Sequence, residues 1–163
     1  LLPAAANVIR TPMLASGGFA DARGLVAGLA LGCEGMNLGT PFMATEEAPD
    51  HRKVKEAIVA GDERSTALIL RSLRNTSRVY GNTVAKQAIA MEREGLGKAE
   101  IGPVVAGSRG RALYESGHTE HRICSAGTSM GLIHDIPSCK ELVERSVGEA
   151  EAIIKGRLAG MAA

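Results

Sequence analysis

Residues 13–24 read Met-Leu-Ala-Ser-Gly-Gly-Phe-Ala-Asp-Ala-Arg-Gly, and this stretch decides the fold. The apolar run from Pro12 to Ala15, with a breaker on each side, is typical of a short buried strand. Gly17 and Gly18 permit a tight turn whose backbone N–H groups are not covered by a Cβ atom. Asp21 is a suitable N-cap for a following helix. The sequence therefore predicts a strand, a glycine turn and a helix.

The segment that follows completes a parallel unit. A helix is predicted from Asp21 to Leu31, with Gly32 placed where a glycine commonly ends a helix. Four apolar residues share one predicted helical face: Leu25, Val26, Leu29 and Ala30. A second strand is predicted from Gly35 to Leu38, followed by a turn at Gly39 and Thr40. The pattern indicates a βαβ unit with a glycine turn after each strand.

Two glycine turns at the ends of neighbouring parallel strands predict a phosphate site. Their N–H groups can converge on one anion, and Thr40 can add a hydroxyl. Each hydrogen bond to a charged oxygen contributes about 1.5–3 kcal/mol. A nearby helix dipole adds only about 0.3–1 kcal/mol, so the amides dominate. The alternative is that the glycines only make tight βα turns. We favour the phosphate site because both strands of one unit end in such a turn.

Four segments carry a family resemblance. They are Ala15-Ser-Gly-Gly-Phe-Ala-Asp-Ala-Arg-Gly24, Leu38-Gly-Thr-Pro-Phe-Met-Ala-Thr-Glu-Glu-Ala48, Arg74-Asn-Thr-Ser-Arg-Val79 and Ser125-Ala-Gly-Thr-Ser-Met-Gly-Leu-Ile-His-Asp-Ile-Pro137. In this order they resemble the nitronate monooxygenases, formerly called 2-nitropropane dioxygenases. The resemblance covers nearly the whole chain.

The resemblance implies an α/β fold, with the chain forming strands seven and eight of a TIM (β/α)8 barrel plus C-terminal helices. In TIM barrels the loops after these strands frequently bind phosphate. It implies an FMN-dependent oxidoreductase that oxidises alkyl nitronates with O2 to a carbonyl compound and nitrite. Five residues are expected to hold the FMN phosphate: Ser16, Gly17, Gly18, Gly39 and Thr40. The family's general-base histidine lies in an earlier stretch, so no catalytic residue is assigned here.

Two alternatives stay open. Flavin-dependent enoyl-ACP reductases share the same scaffold and differ in needing NAD(P)H. The chain can also be an inactive truncated fragment that binds phosphate weakly or not at all. Its first residue is Leu1, not Met, and only two barrel strands are recognisable, whereas a TIM barrel needs eight. We therefore expect residues 1–163 to be one segment of a single barrel domain.

Composition excludes several other classes. The 163 residues are 45% hydrophobic and 23% charged, as in an ordinary globular protein. The net charge of +1 gives no sign of a nucleic-acid partner. No apolar run is long enough to span a bilayer. Three cysteines without paired spacing fit a reducing cytoplasm, which is the expected location. Small molecules, a nitronate and O2, are the expected partners, and the oligomeric state is left open.

The remaining chain is expected to be mostly helical. Helices are predicted from Asp50 to Ala60, with Asp50 as cap and Lys55 facing solvent, and from Asn82 to Glu94. Further helices are predicted from Ile101 to Tyr114 and after the capping box of Ser138 and Glu141. Thr66 to Leu70 is a β-prone run.

Three groups of polar residues are interpreted as structural. Arg71, Arg74 and Arg78 have near-helical spacing and are expected to form a solvated face. His118, His121 and Cys124 lie close together, but their spacing matches no standard zinc site, and no metal site is predicted. Glu46 and Glu47 are adjacent carboxylates without a paired base, and they are expected to be solvated.

Overall fold

A computed structural model describes residues 1–106, 119–121 and 123–162, apart from the His121 side chain. A short helix α1, Leu2–Ala6, precedes a βαβ unit made of β1, Leu14–Ser16, α2, Ala22–Ala30, and β2, Gly35–Asn37. The two strands are parallel, with Leu14 opposite Gly35 and Ser16 opposite Asn37. The predicted βαβ unit is confirmed, and the carboxyl ends of both strands lie side by side.

Helix α2 begins and ends where the sequence predicts. The Asp21 carboxylate accepts hydrogen bonds from the amides of Arg23 and Gly24, and Gly32 adopts a φ of +93° after the last turn. Gly28 packs on β1, because a Cβ there would lie 3.2 Å from the Ala15 Cβ. The predicted apolar face is wrong in part. Leu29 and Ala30 are exposed, whereas Ala22, Val26 and Gly28 are buried. Gly28 faces the strand because the absence of a side chain permits close helix–strand packing.

Two helices follow β2. They are α3, Thr40–Met43, and α4, Arg52–Ala60. The predicted cap of α4 is wrong, since the His51 Nδ1 atom, and not Asp50, accepts from the Lys53 amide. Lys55 is also buried, contrary to the prediction, and its Nζ atom donates to the Glu46 carbonyl at 3.0 Å. The segment between α3 and α4 folds over the Lys55 side chain, and the sequence gives no sign of this.

The middle of the chain contains a hairpin that the sequence analysis did not predict. Strands β3, Thr66–Ile69, and β4, Ser77–Tyr80, pair antiparallel, with Thr66 opposite Tyr80. The loop between them contains two non-glycine residues with positive φ, Leu70 at 59° and Arg74 at 52°. Short hairpin turns usually contain glycine or Asn-Gly, and this loop contains neither. The sequence therefore does not mark it as a hairpin turn.

Helices α5, Thr83–Arg93, and α6, Lys98–Val105, pack beside the hairpin. The predicted Asn82 cap is confirmed, as its Oδ1 atom accepts from the Ala85 amide at 2.9 Å. Residues 107–114 of the helix predicted from Ile101 to Tyr114 lie outside the described part of the chain. Arg71, Arg74 and Arg78 are exposed, which confirms the solvated face, although Arg78 lies on a strand.

The last third begins with two 3₁₀ segments, Thr119–His121 and Thr128–Leu132. Helix α7, Cys139–Ala152, starts with the predicted capping box of Ser138 and Glu141, continues as a π-helical segment, Ile153–Leu158, and ends in α8, Ala159–Ala162. The apolar stripe along this helix is only half covered. Leu142 and Ala150 are buried against the rest of the chain. Four members remain 40–49% exposed: Val143, Val147, Ile154 and Leu158.

Three buried clusters hold the described residues together. The first joins α4 to the Thr128–Leu132 segment through Val54, Ile58 and Met130. The second packs the hairpin on α5 and α6 through Ile69, Val79 and Ile101. The third joins α2 to α7 through Ala22, Val26 and Ala150. The described helices include none that is long and apolar enough to cross a membrane.

Candidate functional site

The two glycine turns meet at the carboxyl ends of β1 and β2. Gly17 and Gly18 both adopt positive φ, +93° and +80°, which glycine tolerates and other residues rarely do. A Cβ built on Gly17, Gly18 or Gly39 would meet no atom within 4 Å outside the adjacent residues of the described chain. The space beside these three glycines is therefore open, and a side chain at any of them would enter it. We refer to this space as the cradle.

A side-chain hydrogen bond joins the two turns directly. The Asn37 Nδ2 atom, at the end of β2, donates to the Ser16 Oγ atom, at the end of β1, over 3.2 Å. Both residues are exposed and stand opposite one another in the parallel register. Ser16 was predicted as a site residue, whereas Asn37 was not. Its signal was its position two residues before the predicted turn at Gly39.

A third loop reaches the same place from the far end of the chain. The Gly127 amide donates to the Thr40 Oγ1 atom over 3.0 Å, and Thr40 is buried. Gly127 belongs to the small-residue loop that precedes the Thr128–Leu132 segment. The structure thus brings all five predicted residues, from Ser16 to Thr40, to one end of the sheet, together with Asn37 and Gly127. The contact of Gly127 with Thr40 was not predicted, because the two residues are far apart in the sequence.

A carboxylate and a guanidinium lie just beyond the first turn. Burial opposes ionisation of Asp21, but hydrogen bonds from the Arg23 side chain and from the Gly24 and Arg23 amides outweigh it and hold the Asp21 pKa below its ordinary value. The hydrogen bond to Asp21 also raises the pKa of Arg23. The pair is therefore ionised and mutually neutralised near neutral pH. It caps α2 and adds little net charge beside the cradle.

A cleft of about 450 Å3 lies next to the cradle, between the start of α2, the Thr128–Leu132 segment and α7. It contains a bidentate pair in which the Arg145 Nη1 and Nη2 atoms donate to Asp135 at 2.6 and 3.0 Å. The hydrogen bond from Arg145 holds the Asp135 pKa below its ordinary value. Both arginines that line this cleft among the described residues, Arg23 and Arg145, are already paired with a carboxylate.

Other candidate groups have structural roles. The Glu47 carboxylate accepts from the Cys139 amide at 2.8 Å and so caps α7. Burial raises the pKa of Cys124 to about 11, so its thiol is protonated near neutral pH. No cluster of metal-ligating side chains occurs among the described residues; His118 and the His121 side chain lie outside them. The absence of an assigned catalytic residue stays a prediction.

Comparison with known proteins defines the class. The family model for nitronate monooxygenase matches residues 1–149, and the chain belongs to this family. A probable nitronate monooxygenase of Staphylococcus aureus (strain Newman) is 32% identical over 68 residues, which are 42% of this chain and 19% of that protein. The predicted family is thereby confirmed.

Another relative matches along most of the chain. It is (3aS,4S,5R,7aS)-5-hydroxy-7a-methyl-1-oxo-octahydro-1H-indene-4-carboxyl-CoA dehydrogenase of Rhodococcus jostii (strain RHA1), 27% identical over 190 residues. The match covers 92% of this chain and 53% of the dehydrogenase. By name these relatives are oxidoreductases. The chain thus spans about half the length of a curated relative that it matches along most of its own length.

Solved structures share the fold. FabK from Thermotoga maritima superposes with a TM-score of 0.91 at 32% identity, over 99% of this chain and 50% of that protein. A nitroalkane oxidase from Streptomyces ansochromogenes superposes with a TM-score of 0.71 at 23% identity, over 98% of this chain and 44% of that protein. The arrangement of helices and strands described above is therefore an α/β fold found in proteins of about twice this length.

Proposed function

We propose that this chain supplies the FMN-phosphate-binding part of a nitronate monooxygenase. Five residues at the ends of β1 and β2 would hold the phosphate: Ser16, Gly17, Gly18, Gly39 and Thr40. The observation that carries the proposal is the open cradle formed by two glycine turns at adjacent strand ends. The amides of Gly17 and Gly18 take no part in the loop and cap hydrogen bonds of the described chain, so they are available to an anion.

The open space beside the glycines leaves room for an anion. A Cβ at Gly17, Gly18 or Gly39 would fill the space, so the glycines keep room for an anion close to the backbone. The backbone N–H groups of the glycines and the hydroxyls of Ser16 and Thr40 are the donors at this end of the sheet, and each bond to a charged oxygen contributes about 1.5–3 kcal/mol. FMN, once bound, supplies the redox chemistry with O2, while the protein binds and orients it and excludes water.

We also propose that residues 1–163 form strands seven and eight, with the C-terminal helices, of one TIM-barrel domain. Ala15 faces α2, whereas Leu14 on the other face of β1 is 59% exposed. An apolar groove of about 200 Å3, lined by Met36, Phe42 and Val147 among others, lies beside β2. Further barrel strands would cover these surfaces. Residues 1–163 produced alone should self-associate in sedimentation experiments; a monomer with a sharp thermal transition would refute this proposal.

The proposed substrates are an alkyl nitronate and O2, and the products are a carbonyl compound and nitrite. A nitronate has already lost its α-proton, so its oxidation needs no base from this chain. A cytoplasmic location is part of the same proposal.

A second candidate acts on a thioester. The dehydrogenase relative, named for a carboxyl-CoA substrate, aligns with 92% of this chain, while the nitronate monooxygenase relative aligns with 42%. This difference favours an acyl-thioester oxidoreductase, of which a flavin-dependent enoyl-ACP reductase is one form. An inactive fragment is the remaining alternative.

Oxygen uptake by the full-length protein separates these candidates. We expect uptake with propionate 3-nitronate in the absence of NAD(P)H. NADH oxidation driven by an enoyl thioester, with no response to nitronate, would transfer the assignment to the reductase. No reaction with either substrate, despite bound flavin, would favour the inactive alternative.

A further inference from the structure

Two hydroxyl groups of the cradle each accept a hydrogen bond from a neighbouring N–H group. The Ser16 Oγ atom accepts from Asn37 Nδ2 at 3.2 Å, and the Thr40 Oγ1 atom accepts from the Gly127 amide at 3.0 Å. A hydroxyl has one proton to donate and two lone pairs. Once a lone pair is engaged by an N–H group, the remaining proton is free to point elsewhere. Both hydroxyls are thus prepared as donors, which a phosphate oxygen requires.

The two N–H groups differ in how firmly they are held. Gly127 precedes the Thr128–Leu132 segment, whose Met130 is fully buried against Val54 and Ile58. The Gly127 amide is therefore fixed to the hydrophobic core, and Thr40 itself is only 8% exposed. Asn37 is exposed, but it lies in β2, directly opposite Ser16 in the register. The pairing of the two strands therefore keeps the side-chain amide of Asn37 next to the Ser16 hydroxyl.

We infer that Asn37 and Gly127 are positioning residues that fix the Ser16 and Thr40 hydroxyls as proton donors to the phosphate. The inference rests on the proposed function, because it assumes that a phosphate enters the cradle. Neither residue needs to touch the ligand. Asn37 acts through Ser16, and Gly127 acts through Thr40.

Substitutions at Asn37 test the direction of the hydrogen bond. Asn37→Ala removes the N–H donor and frees the Ser16 hydroxyl to rotate. Asn37→Asp goes further, since its carboxylate would accept a hydrogen bond from the Ser16 hydroxyl and add a negative charge beside the phosphate. Asn75→Ala is the matched control, because Asn75 is exposed in the hairpin loop and its side chain has no hydrogen bond among the described residues.

The measurement is the dissociation constant of the full-length apoprotein for FMN and for riboflavin, which lacks the phosphate. Wild type should bind FMN more tightly than riboflavin. Asn37→Ala should weaken FMN binding roughly tenfold, and Asn37→Asp should weaken it more, with riboflavin binding unchanged. In a Ser16→Ala background, Asn37→Ala should have no further effect, because the two residues act as one unit.

Thr40 tests the second arm. Thr40→Val keeps the shape and removes the hydroxyl, so FMN binding should weaken roughly tenfold, and Thr40→Ser should restore it. Thr76→Val, at an exposed threonine of the hairpin loop, is the control.

The outcomes separate the inference from the proposed site. Equal affinity of wild type for FMN and riboflavin would refute the phosphate site and the inference with it. A loss of FMN affinity in Ser16→Ala and Thr40→Val, with none in Asn37→Ala, would overturn the inference for Asn37 and leave the proposed site intact. An equal loss of affinity for both flavins in these variants would also overturn the inference, because it would indicate a general structural role.

Discussion

The turn after β1 and the loop between β3 and β4 both contain left-handed backbone, but they use it in opposite ways. In the first, positive φ belongs to Gly17 and Gly18, and the space beside them is open. In the second, positive φ belongs to Leu70 and Arg74, where a side chain makes it costly. The strained loop is held by an anion of the chain itself, the Glu92 carboxylate.

Glu92 binds the hairpin loop by three hydrogen bonds. Its Oε2 atom accepts from the Leu70 amide at 2.9 Å, and its Oε1 atom accepts from the Ser72 amide and hydroxyl, each at 2.8 Å. The hairpin loop is therefore an anion-binding turn that is satisfied internally. The comparison teaches that a glycine turn with open space is the better candidate for a ligand, because nothing in the described chain competes for its amides.

The largest effect is expected for Gly18→Val in the full-length protein. The valine would be strained at a φ of +80° and its side chain would enter the cradle, so we expect flavin content to fall at least about tenfold. Gly95→Val is a matched control, since Gly95 also has a φ of +80° and open surroundings but ends α5. Flavin content after denaturation is measured by absorbance. Equal losses in both variants would show that strain, and not the cradle, is responsible.

Removal of the internal anion should affect stability and leave flavin binding intact. Glu92→Ala leaves the Leu70 and Ser72 amides without their carboxylate, and we expect the free energy of unfolding to fall by about 1–3 kcal/mol. Urea denaturation measures the change. Glu94→Ala, at an exposed glutamate two residues further along the chain, should change the free energy of unfolding little. A loss of flavin in Glu92→Ala would contradict the idea that the hairpin loop serves stability and the glycine turns serve flavin binding.

The same contact predicts a response to acid. Burial opposes ionisation of Glu92, but hydrogen bonds from Ser72 and from the Leu70 and Arg71 amides outweigh it and lower its pKa from 4.5. Because the folded-state pKa is lowered, this contribution to stability is complete above the unfolded value and is lost as the pH falls through the folded value. As the pH is lowered from above the unfolded pKa of Glu92 to below its folded pKa, wild type should therefore lose more stability than Glu92→Gln. Parallel acid profiles would argue against the contact.

The smallest effect concerns strain in the hairpin loop. Arg74 is exposed with a φ of 52°, so Arg74→Gly relieves about 1–2 kcal/mol of strain and adds about 0.5–1 kcal/mol of chain entropy. We expect a net gain of about 0.5–1 kcal/mol in the free energy of unfolding, measured by urea denaturation. Arg71→Gly, without positive φ, should destabilise instead. A gain in both variants would indicate that strain relief is not the cause.

The βαβ unit could be predicted from residues that are neighbours in the sequence. Other parts of the fold depend on contacts between residues far apart in the sequence. Asp21, Gly32, Asn82 and the Ser138–Glu141 box marked helix ends correctly because a cap depends on residues next to it in sequence. The hairpin was missed because its loop has no turn signal of its own and is held by Glu92, about twenty residues further along, through the Leu70 and Ser72 amides.

The candidate site shows the same division. Five residues were predicted because each lies in or directly beside a turn that the sequence marks: Ser16, Gly17, Gly18, Gly39 and Thr40. The buried position of Lys55 and the contact of Gly127 with Thr40 were not predicted, because they depend on segments that meet only in the folded chain.

The bond between Gly127 and Thr40 has a consequence for the order of folding. The two residues are 87 positions apart, and Cys139, which binds Glu47, is 92 positions from its partner. Closing such loops costs entropy that grows with loop length, whereas β1, α2 and β2 span a short stretch. We expect the βαβ unit to form early in refolding and the third loop of the cradle to dock late. Flavin uptake would then report completion of the fold, lagging behind the helical signal in a stopped-flow experiment.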